Sequence, residues 1–236
     1  MINPSHHNPS GRTLCTERRL QLAALAEEHE LVILEDDAYG ELHFEASLEP
    51  VACTSRRTLY FGSLSKTIAP GIRVGWVTGP EALVGPMSRL IKDHGHPLVR
   101  AAVAMYLRNV DHAGRVAWLR EHYAARAAQI CDLLAAHLPP VVQWSRPTGG
   151  FFVWLRVPGV DCGQLLHEAL ANGVSFVPGE HFFRTPTDGR EYLRLSYCTA
   201  DTTAMELGVV RLSESIHRAM SRPPTMRDDA PRHRSK

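Results

Sequence analysis

Four side chains between residues 62 and 73 could together bind a phosphate group and supply a reactive amine. They are Ser63, Ser65, Lys66 and Arg73, and they follow a short apolar run that ends in Gly62. Hydroxyl and guanidinium groups donate strong hydrogen bonds to a phosphate dianion, and a lysine amine can add to a carbonyl carbon. The segment is not a nucleotide-binding P-loop, because such a loop requires glycine immediately before the lysine and Ser65 stands there. A solvated loop lysine is the alternative interpretation of Lys66 taken alone.

A second group of reactive side chains follows the apolar run at residues 31–34. Glu35, Asp36 and Asp37 come directly after this run, and Tyr39 lies two residues further on. Carboxylates beside a buried strand need solvent or a partner, because burying an unpaired charge is costly. Successive strand residues point to opposite faces, so only one of Asp36 and Asp37 can face a bound ligand.

Both groups lie near the ends of predicted strands, where α/β sheets place their ligands. Unbroken apolar runs favour buried parallel strands, and apolar residues at helical spacing favour helices. We predict strands over residues 31–34, 58–62, 72–77, 141–144, 151–157, 174–177 and 192–197. We predict helices from an N-cap at Thr13 or Thr16 to about residue 30, over 80–137 with breaks at 95–97 and 109–111, over 163–171, and over 203–220. This alternation predicts an α/β fold with a mostly parallel sheet in its first part and a small α+β unit at its end.

The composition argues against several classes of protein. The 236 residues include 26 Lys+Arg and 25 Asp+Glu, a formal net charge of +1 without a basic stripe, so nothing favours nucleic-acid binding. No apolar run approaches the length of a membrane span, and the first residues do not resemble a secretion signal. The scattered cysteines lack a C-x-x-C pair, and the histidine clusters at 6–7 and 94–96 lack a second half, so we expect neither disulfides nor a metal site. The cysteines are Cys15, Cys53, Cys131, Cys162 and Cys198. We expect a cytoplasmic protein with reduced thiols.

Four motifs together resemble the class I and II aminotransferases, the fold-type-I enzymes that use pyridoxal 5′-phosphate (PLP). In order, they are Asn8-Pro9-Ser10-Gly11, Asp36-x-x-Tyr39, Ser63-x-Ser65-Lys66, and the arginine that ends Ala69-Pro70-Gly71-Ile72-Arg73. Their shared order and spacing are far more specific than any one of them. The residues around Asp36 and Lys66 are most similar to 2-aminoadipate-type transaminases and to the aminotransferase-like domain of MocR-type transcriptional regulators.

The resemblance implies a role for each residue around the cofactor ring. Lys66 would bond to the cofactor aldehyde and, once released, carry a proton between the substrate α-carbon and the cofactor. Asp36 would keep the pyridine nitrogen protonated, so that the ring can accept electrons. Tyr39 and Asn8 would hydrogen-bond the phenolic oxygen of the cofactor. Asp36 is preferred to Asp37 because the family spacing is Asp-x-x-Tyr.

The resemblance also implies where the phosphate and the substrate would bind. Ser63 and Arg73 would hold the cofactor phosphate, with Ser65 as a third donor. Arg194, in the last predicted strand, would bind the α-carboxylate of the substrate, and a surface arginine on an edge strand is the alternative interpretation. The glycine pair at residues 149–150 would either admit a close approach by the substrate or only form a turn.

The motifs correspond to the later part of the family fold. Residues 1–95 would be the C-terminal part of the large PLP-binding domain, residues 96–220 the interdomain helix and the small domain, and residues 221–236 a disordered tail. The glycine-rich helix start that cradles the phosphate and the aromatic residue that stacks on the ring have no counterpart in this sequence. The resemblance thus implies an amino-truncated aminotransferase, homodimeric in its full-length form. We expect the chain alone to bind PLP weakly and to show little transaminase activity.

The resemblance leaves more than one function open. The first is transfer of an amino group between an amino acid and a 2-oxo acid in amino-acid metabolism and biosynthesis. The second is a PLP-binding effector domain of a MocR-type regulator, in which Lys66 holds the cofactor without turnover. Other PLP reactions, such as carbon–sulfur lysis or decarboxylation, use the same scaffold, and a non-catalytic remnant is a third class. The particular substrate is not indicated.

Overall fold

The computed structural model describes residues 1–91 and 95–222, and these contain two β-sheets and six α-helices. The helices are α1 (Thr16–Glu28), α2 (Glu81–Leu90), α3 (Pro97–Asn109), α4 (His112–His137), α5 (Cys162–Ala171) and α6 (Thr202–Met220). The strands are β1 (Ile33–Asp36), β2 (Thr58–Ser63), β3 (Gly75–Thr78), β4 (Gln143–Trp144), β5 (Phe152–Arg156), β6 (Val177–Pro178) and β7 (Tyr192–Ser196). The expected disordered tail lies outside the described residues except for 221–222, as does His94 of the second histidine cluster.

The first sheet places the carboxyl ends of β1 and β2 side by side. β1 pairs with β2 in parallel, β2 pairs with β3 antiparallel, and Ile2 adds a parallel bridge on the other side of β1. The Ile2 N–H donates to the Leu34 carbonyl at 2.8 Å, and the Ile2 carbonyl accepts from the Asp36 N–H at 2.8 Å. The predicted α/β class is therefore confirmed, and the chain at residue 2 runs alongside the end of β1, where Asp36 lies.

Two local predictions differ from the structure at the ends of α1. The helix begins after Cys15, which makes no side-chain capping bond, so neither Thr13 nor Thr16 is the N-cap. The Thr13 hydroxyl instead accepts from the backbone N–H of His6 at 3.1 Å. β1 begins at Ile33 rather than Leu31, because the Leu31 N–H donates to the Ala26 carbonyl and completes the turn that ends the helix.

The second sheet has the order β4-β5-β7-β6, with every pairing antiparallel, and it carries most of the apolar core. The predicted breaks in the helical region are confirmed, since α2, α3 and α4 are separate helices. Asp111 caps α4 by accepting from the Gly114 N–H at 2.9 Å. Within residues 1–91 and 95–222, no helix is long and apolar enough to cross a membrane, and no group of His, Cys, Asp and Glu is arranged to hold a metal ion.

Glu35, the first of the three consecutive acids, has a structural role. Its buried carboxylate accepts from the N–H groups of Val51 and Ala52 at 3.0 and 2.9 Å and lies 3.8 Å from the Arg19 guanidinium. Arg19 also donates to the Pro4 carbonyl at 3.1 Å. This network ties α1, the end of β1 and the N-terminal loop together, because each buried charge needs the partners that the other segments supply.

A buried histidine joins the N-terminal loop to the second sheet. His6 is 5% exposed, and its Nδ1 lies 3.1 Å from the Thr13 hydroxyl. A Cβ on Gly149 would lie 2.3 Å from the His6 ring, so only glycine fits at this position. The close approach that Gly149 permits is therefore made by His6. Burial, His43 and Arg19 together lower the pKa of His6 to about 4.

We expect the stability of the protein to fall as the pH falls from 6.5 towards 4. The unfolded chain protonates His6 below its ordinary pKa of 6.5, whereas the folded chain keeps the ring neutral down to about 4. Full titration across that window corresponds to roughly 3 kcal/mol of unfolding free energy. Urea unfolding of the wild type and of His6→Asn measures the difference, because asparagine tolerates the positive φ of 49° and does not titrate. If the free energy of unfolding changed with pH equally in the wild type and in His6→Asn, His6 would not be the source of the pH dependence.

Candidate active site

A cleft of about 490 Å³ opens at the carboxyl end of β1, beneath the N-terminal loop. Three of the predicted site residues, Asn8, Asp36 and Tyr39, line it. The full lining is Met1, Ile2, Asn3, His7, Asn8, Asp36, Ala38 and Tyr39. The parallel pairing of β1 with β2 puts this cleft at the sheet edge that α/β proteins commonly use for ligands.

The two adjacent aspartates have different environments. Asp37 accepts a hydrogen bond from the Tyr60 hydroxyl at 2.8 Å, and this partner, after burial, raises the pKa of Tyr60 well above its usual value. Asp36 lines the cleft, and its carboxylate accepts only a long bond, 3.3 Å, from the Ala38 N–H within the described residues. The other carboxylate oxygen of Asp37 is buried without a hydrogen-bond partner among the described residues, so both aspartates retain acceptor capacity. Of the two, Asp36 is the one that lines the cleft.

Asn3, which the sequence analysis did not single out, holds the loop over the cleft. Its side-chain amide donates to the Asp36 carbonyl at 2.5 Å, and its side-chain oxygen accepts from the Asn8 N–H at 3.1 Å. Asn3 therefore fixes both the end of β1 and the position of Asn8. The available signal was Asn3-Pro4, a second Asn-Pro pair five residues before Asn8-Pro9.

Arg194 reaches from the second sheet to the N-terminal loop. Its Nη1 donates to the Asn8 side-chain oxygen at 2.5 Å, although 186 positions separate the two residues. The guanidinium lies 4.1 Å from the ring centre of Phe152 and 5.0 Å from that of Phe182. Burial lowers the pKa of Arg194, an effect that Tyr39 opposes.

Arg194 also has a hydrogen-bond donor without a partner. Its Nε is buried and has no acceptor among the described residues. A buried donor without a partner is costly, and an anion such as a carboxylate would satisfy it. The ring of Phe182 lies beside this guanidinium and limits the directions from which an anion can approach.

Lys66 and Tyr39 lie next to each other. The Lys66 ammonium is 5.6 Å from the ring centre of Tyr39, and Tyr39 is 7% exposed. The ring of Tyr39 packs edge-on against Phe151 and Phe152, which holds its hydroxyl in one place. Burial raises the pKa of Tyr39, and the charge of Arg194 opposes that rise. Tyr39 therefore stays protonated near neutral pH and can donate a hydrogen bond.

The expected phosphate ligands lie outside the cleft lining, at the end of β2. The Ser63 hydroxyl donates to the Ser65 hydroxyl at 3.0 Å and accepts from the Ser65 N–H at 3.1 Å. Pairing of Ser63 with Gly75 brings the start of β3 alongside this turn. Arg73 is exposed there, in a left-handed conformation with φ of 51°, and the structure does not join it to either serine by a hydrogen bond.

The arrangement brings an amine, a carboxylate with free acceptor capacity, a tyrosine hydroxyl and a guanidinium with an unmet hydrogen bond into one region between the two sheets. Such a set can hold a cationic aromatic nitrogen, a phenolic oxygen and a substrate carboxylate at once. These unmet hydrogen-bonding groups at Asp36 and Arg194 fit a bound cofactor and substrate of that kind.

Comparisons with known proteins agree with this chemistry. A sequence model of the family described as aminotransferase class I and II matches residues 1–212. The chain is 34% identical over 226 residues to the 2-aminoadipate transaminase of Thermus thermophilus, covering 90% of this chain and 56% of that protein. It is 32% identical over 227 residues to the uncharacterized HTH-type transcriptional regulator YdfD of Bacillus subtilis, covering 93% of this chain and 46% of that protein.

A solved structure shows the same likeness in three dimensions. The crystal structure of LysN, the α-aminoadipate aminotransferase of Thermus thermophilus complexed with N-(5′-phosphopyridoxyl)-L-leucine, matches this fold with a TM-score of 0.85 and 31% identity. The match covers 93% of this chain and 58% of that one. This chain spans about half the length of the curated relatives it matches.

Proposed function

The chain belongs to the family of class I and II aminotransferases, and from this membership we propose that its cleft binds PLP and that the protein transfers amino groups between an amino acid and a 2-oxo acid. The observation that carries the proposal is the free carboxylate of Asp36, which faces the cleft beside Asn8 and Tyr39. A similar solved structure holds a phosphopyridoxyl amino acid, which supports the choice of cofactor. The proposal includes a homodimer, as the family resemblance implies.

Each residue near the cleft has a distinct task in this proposal. PLP, when bound, supplies an electron sink for the reaction at the substrate α-carbon. Lys66 provides the amine that bonds the cofactor and afterwards moves the proton at the α-carbon. Asp36 keeps a proton on the pyridine nitrogen, and Tyr39 and Asn8 donate to the phenolic oxygen. Arg194 orients the substrate through its carboxylate, which its unpaired Nε supports.

The cofactor phosphate is proposed to bind at the carboxyl end of β2. Ser63 and Ser65 share a hydrogen bond at the carboxyl end of β2, and Arg73 lies at the adjoining start of β3. A phosphate placed at that sheet edge would accept from both hydroxyls and from the guanidinium, provided that the exposed Arg73 side chain turns towards them.

A second function is favoured by the likeness to regulators. YdfD is named as a transcriptional regulator and matches 93% of this chain at 32% identity. In that case Lys66 would hold PLP and the output would be a change in the conformation of the domain. Amino donors would then convert little or none of the bound cofactor.

Trapping with borohydride tests the proposal directly. We expect the purified protein to carry one phosphopyridoxyl group per chain after incubation with PLP and reduction. Lys66→Ala is expected to lose this group, because Lys66 is the amine that bonds the aldehyde. Intact-mass spectrometry measures the label. Release of a 2-oxo acid when amino acids are added before reduction would identify a transaminase, since a sensor does not convert its bound cofactor. Equal labelling of the wild type and Lys66→Ala would contradict the proposal.

A further inference from the structure

We propose that three arginines of α4, Arg115, Arg120 and Arg126, position the three segments that carry the site. Each uses its Nε to donate to the backbone carbonyl of a different segment, at Thr67, Glu41 and Tyr197. The inference rests on the proposed function for the roles of Lys66, Tyr39 and Arg194, while the clamp itself is a feature of the chain alone. The three arginines are positioning residues and need not touch a substrate. We call these three contacts the α4 clamp.

The first contact holds the segment that carries the reactive lysine. The Nε of Arg115 donates to the Thr67 carbonyl at 3.1 Å, one residue after Lys66. The same segment is closed by a hydrogen bond from the Ile68 N–H to the Leu64 carbonyl at 2.9 Å. The Leu64 N–H ties the start of this turn to the Val74 carbonyl at 3.1 Å. Arg115 fixes the other end of the turn, next to Lys66.

The second contact holds the segment that carries Tyr39. The Nε of Arg120 donates to the Glu41 carbonyl at 2.7 Å. Next to it, Leu119 of α4 is buried in one apolar cluster with Tyr39 and Leu42. A polar contact and an apolar contact from adjacent residues of the helix therefore fix both the backbone and the ring of this segment.

The third contact holds the end of β7. The Nε of Arg126 donates to the Tyr197 carbonyl at 2.7 Å, three residues after Arg194. The Tyr197 N–H in turn donates to the Phe151 carbonyl at 3.2 Å, so this end of the sheet remains paired. Arg126 therefore connects the strand that carries the proposed carboxylate-binding residue to α4.

The geometry of one continuous helix links the three contacts. Arg115 and Arg126 are eleven positions apart, which is close to three turns and about 16.5 Å along the axis, so both project from nearly the same face. Arg120 projects about 140° further round the helix and reaches the Tyr39 segment at the Glu41 carbonyl. A helix of 26 residues is stiff over this distance, and the relative positions of Lys66, Tyr39 and Arg194 are consequently set by α4.

Hydrogen exchange of the purified chain without PLP tests the clamp, because each contact has its own reporter amide. These are the N–H groups of Ile68 and Leu42, which donate to carbonyls within their own segments, and of Tyr197, which donates to the Phe151 carbonyl. Arg115→Met is expected to speed exchange at Ile68 roughly ten-fold, with Tyr197 unchanged, since a hydrogen bond from a charged donor is lost. Arg126→Met is expected to speed exchange at Tyr197 and to leave Ile68 unchanged. Arg120→Met is expected to speed exchange at Leu42.

Two further variants separate positioning from general destabilisation. Arg115→Lys is expected to restore slow exchange at Ile68, because an ammonium can also donate to the Thr67 carbonyl. Arg108→Met on α3 is the matched control, since Arg108 makes no hydrogen bond or ion pair among residues 1–91 and 95–222. Unchanged reporters, or equal acceleration of all three in every variant, would overturn the proposal.

A parallel labelling experiment connects the clamp to the proposed function. After incubation with PLP and borohydride, Arg115→Met is expected to lower the label at Lys66 about ten-fold relative to the label at Lys92, and Arg115→Lys to restore the ratio. If the wild type does not label at Lys66, the proposed function fails, but the reporter amides still decide whether the clamp exists. If Lys66 carries the same amount of label in the wild type and in Arg115→Met, the α4 clamp does not position Lys66 for reaction with PLP.

Discussion

Removing the guanidinium of Arg194 is expected to erase a preference of about 100-fold for ligands that carry an α-carboxylate, because this partly buried guanidinium is the charged partner proposed for that carboxylate. The matched ligands are N-(5′-phosphopyridoxyl)-L-leucine and the same adduct of isoamylamine, which lacks only the carboxylate. The wild type is expected to bind the leucine adduct more tightly, because the unpaired Nε of Arg194 can donate to its carboxylate. Binding is measured by titration calorimetry, so the test does not depend on catalytic turnover.

Two variants of Arg194 make this result specific. Arg194→Leu is expected to bind both adducts equally, whereas Arg194→Lys retains part of the preference because a point charge replaces the planar fork. Asn8→Ala should weaken the preference less, since Asn8 orients the guanidinium through its side-chain oxygen and leaves the charge in place. A wild type that binds both adducts with the same affinity would show that Arg194 is not the carboxylate-binding residue.

Asp36→Asn is expected to raise the dissociation constant for PLP by about 10- to 100-fold, because the neutral amide no longer pairs with a protonated ring nitrogen. Asp37→Asn is the matched control on the next residue. Asp37 accepts from Tyr60, so its replacement should lower the free energy of unfolding by about 1 kcal/mol and leave PLP binding nearly unchanged. Absorbance titration measures the dissociation constant for PLP, and urea unfolding measures the free energy of unfolding.

The opposite pattern would reverse the assignment of the two acids. A loss of PLP affinity in Asp37→Asn with none in Asp36→Asn would mean that the ring faces the other side of β1. Equal effects of the two substitutions would mean that either acid acts only through the local fold.

Much of the fold could be predicted because its signals are local. Apolar runs located β2 and β5, and glycine, proline and aspartate located the breaks between α2, α3 and α4. The first strand was placed two residues early, since Leu31 and Val32 are apolar yet 56% and 43% exposed and belong to the turn after α1. An apolar run shows that a strand is near, but the hydrogen bonds of the preceding helix decide where it begins.

The site was predictable in its residue types and less so in its contacts. Asp36-x-x-Tyr39 and Ser63-x-Ser65-Lys66 are short motifs, and a sequence can be searched for them. The bonds of Arg194 to Asn8 and of Arg126 to Tyr197 join residues 186 and 71 positions apart, and no local pattern indicates such pairs. The role of Asn3 was missed for a related reason, because its two partners lie on different segments.

The measurement that tests the account most directly is peptide mapping of the amine that PLP modifies in the wild-type chain. The sequence contains only three lysines, Lys66, Lys92 and Lys236, so the map has few competing positions. Borohydride reduction followed by peptide mass spectrometry is expected to place the phosphopyridoxyl group on Lys66 in large excess, even where weak affinity requires a high PLP concentration. Labelling spread evenly over the three lysines and the amino terminus would contradict the central claim that Lys66 lies in a formed cofactor site.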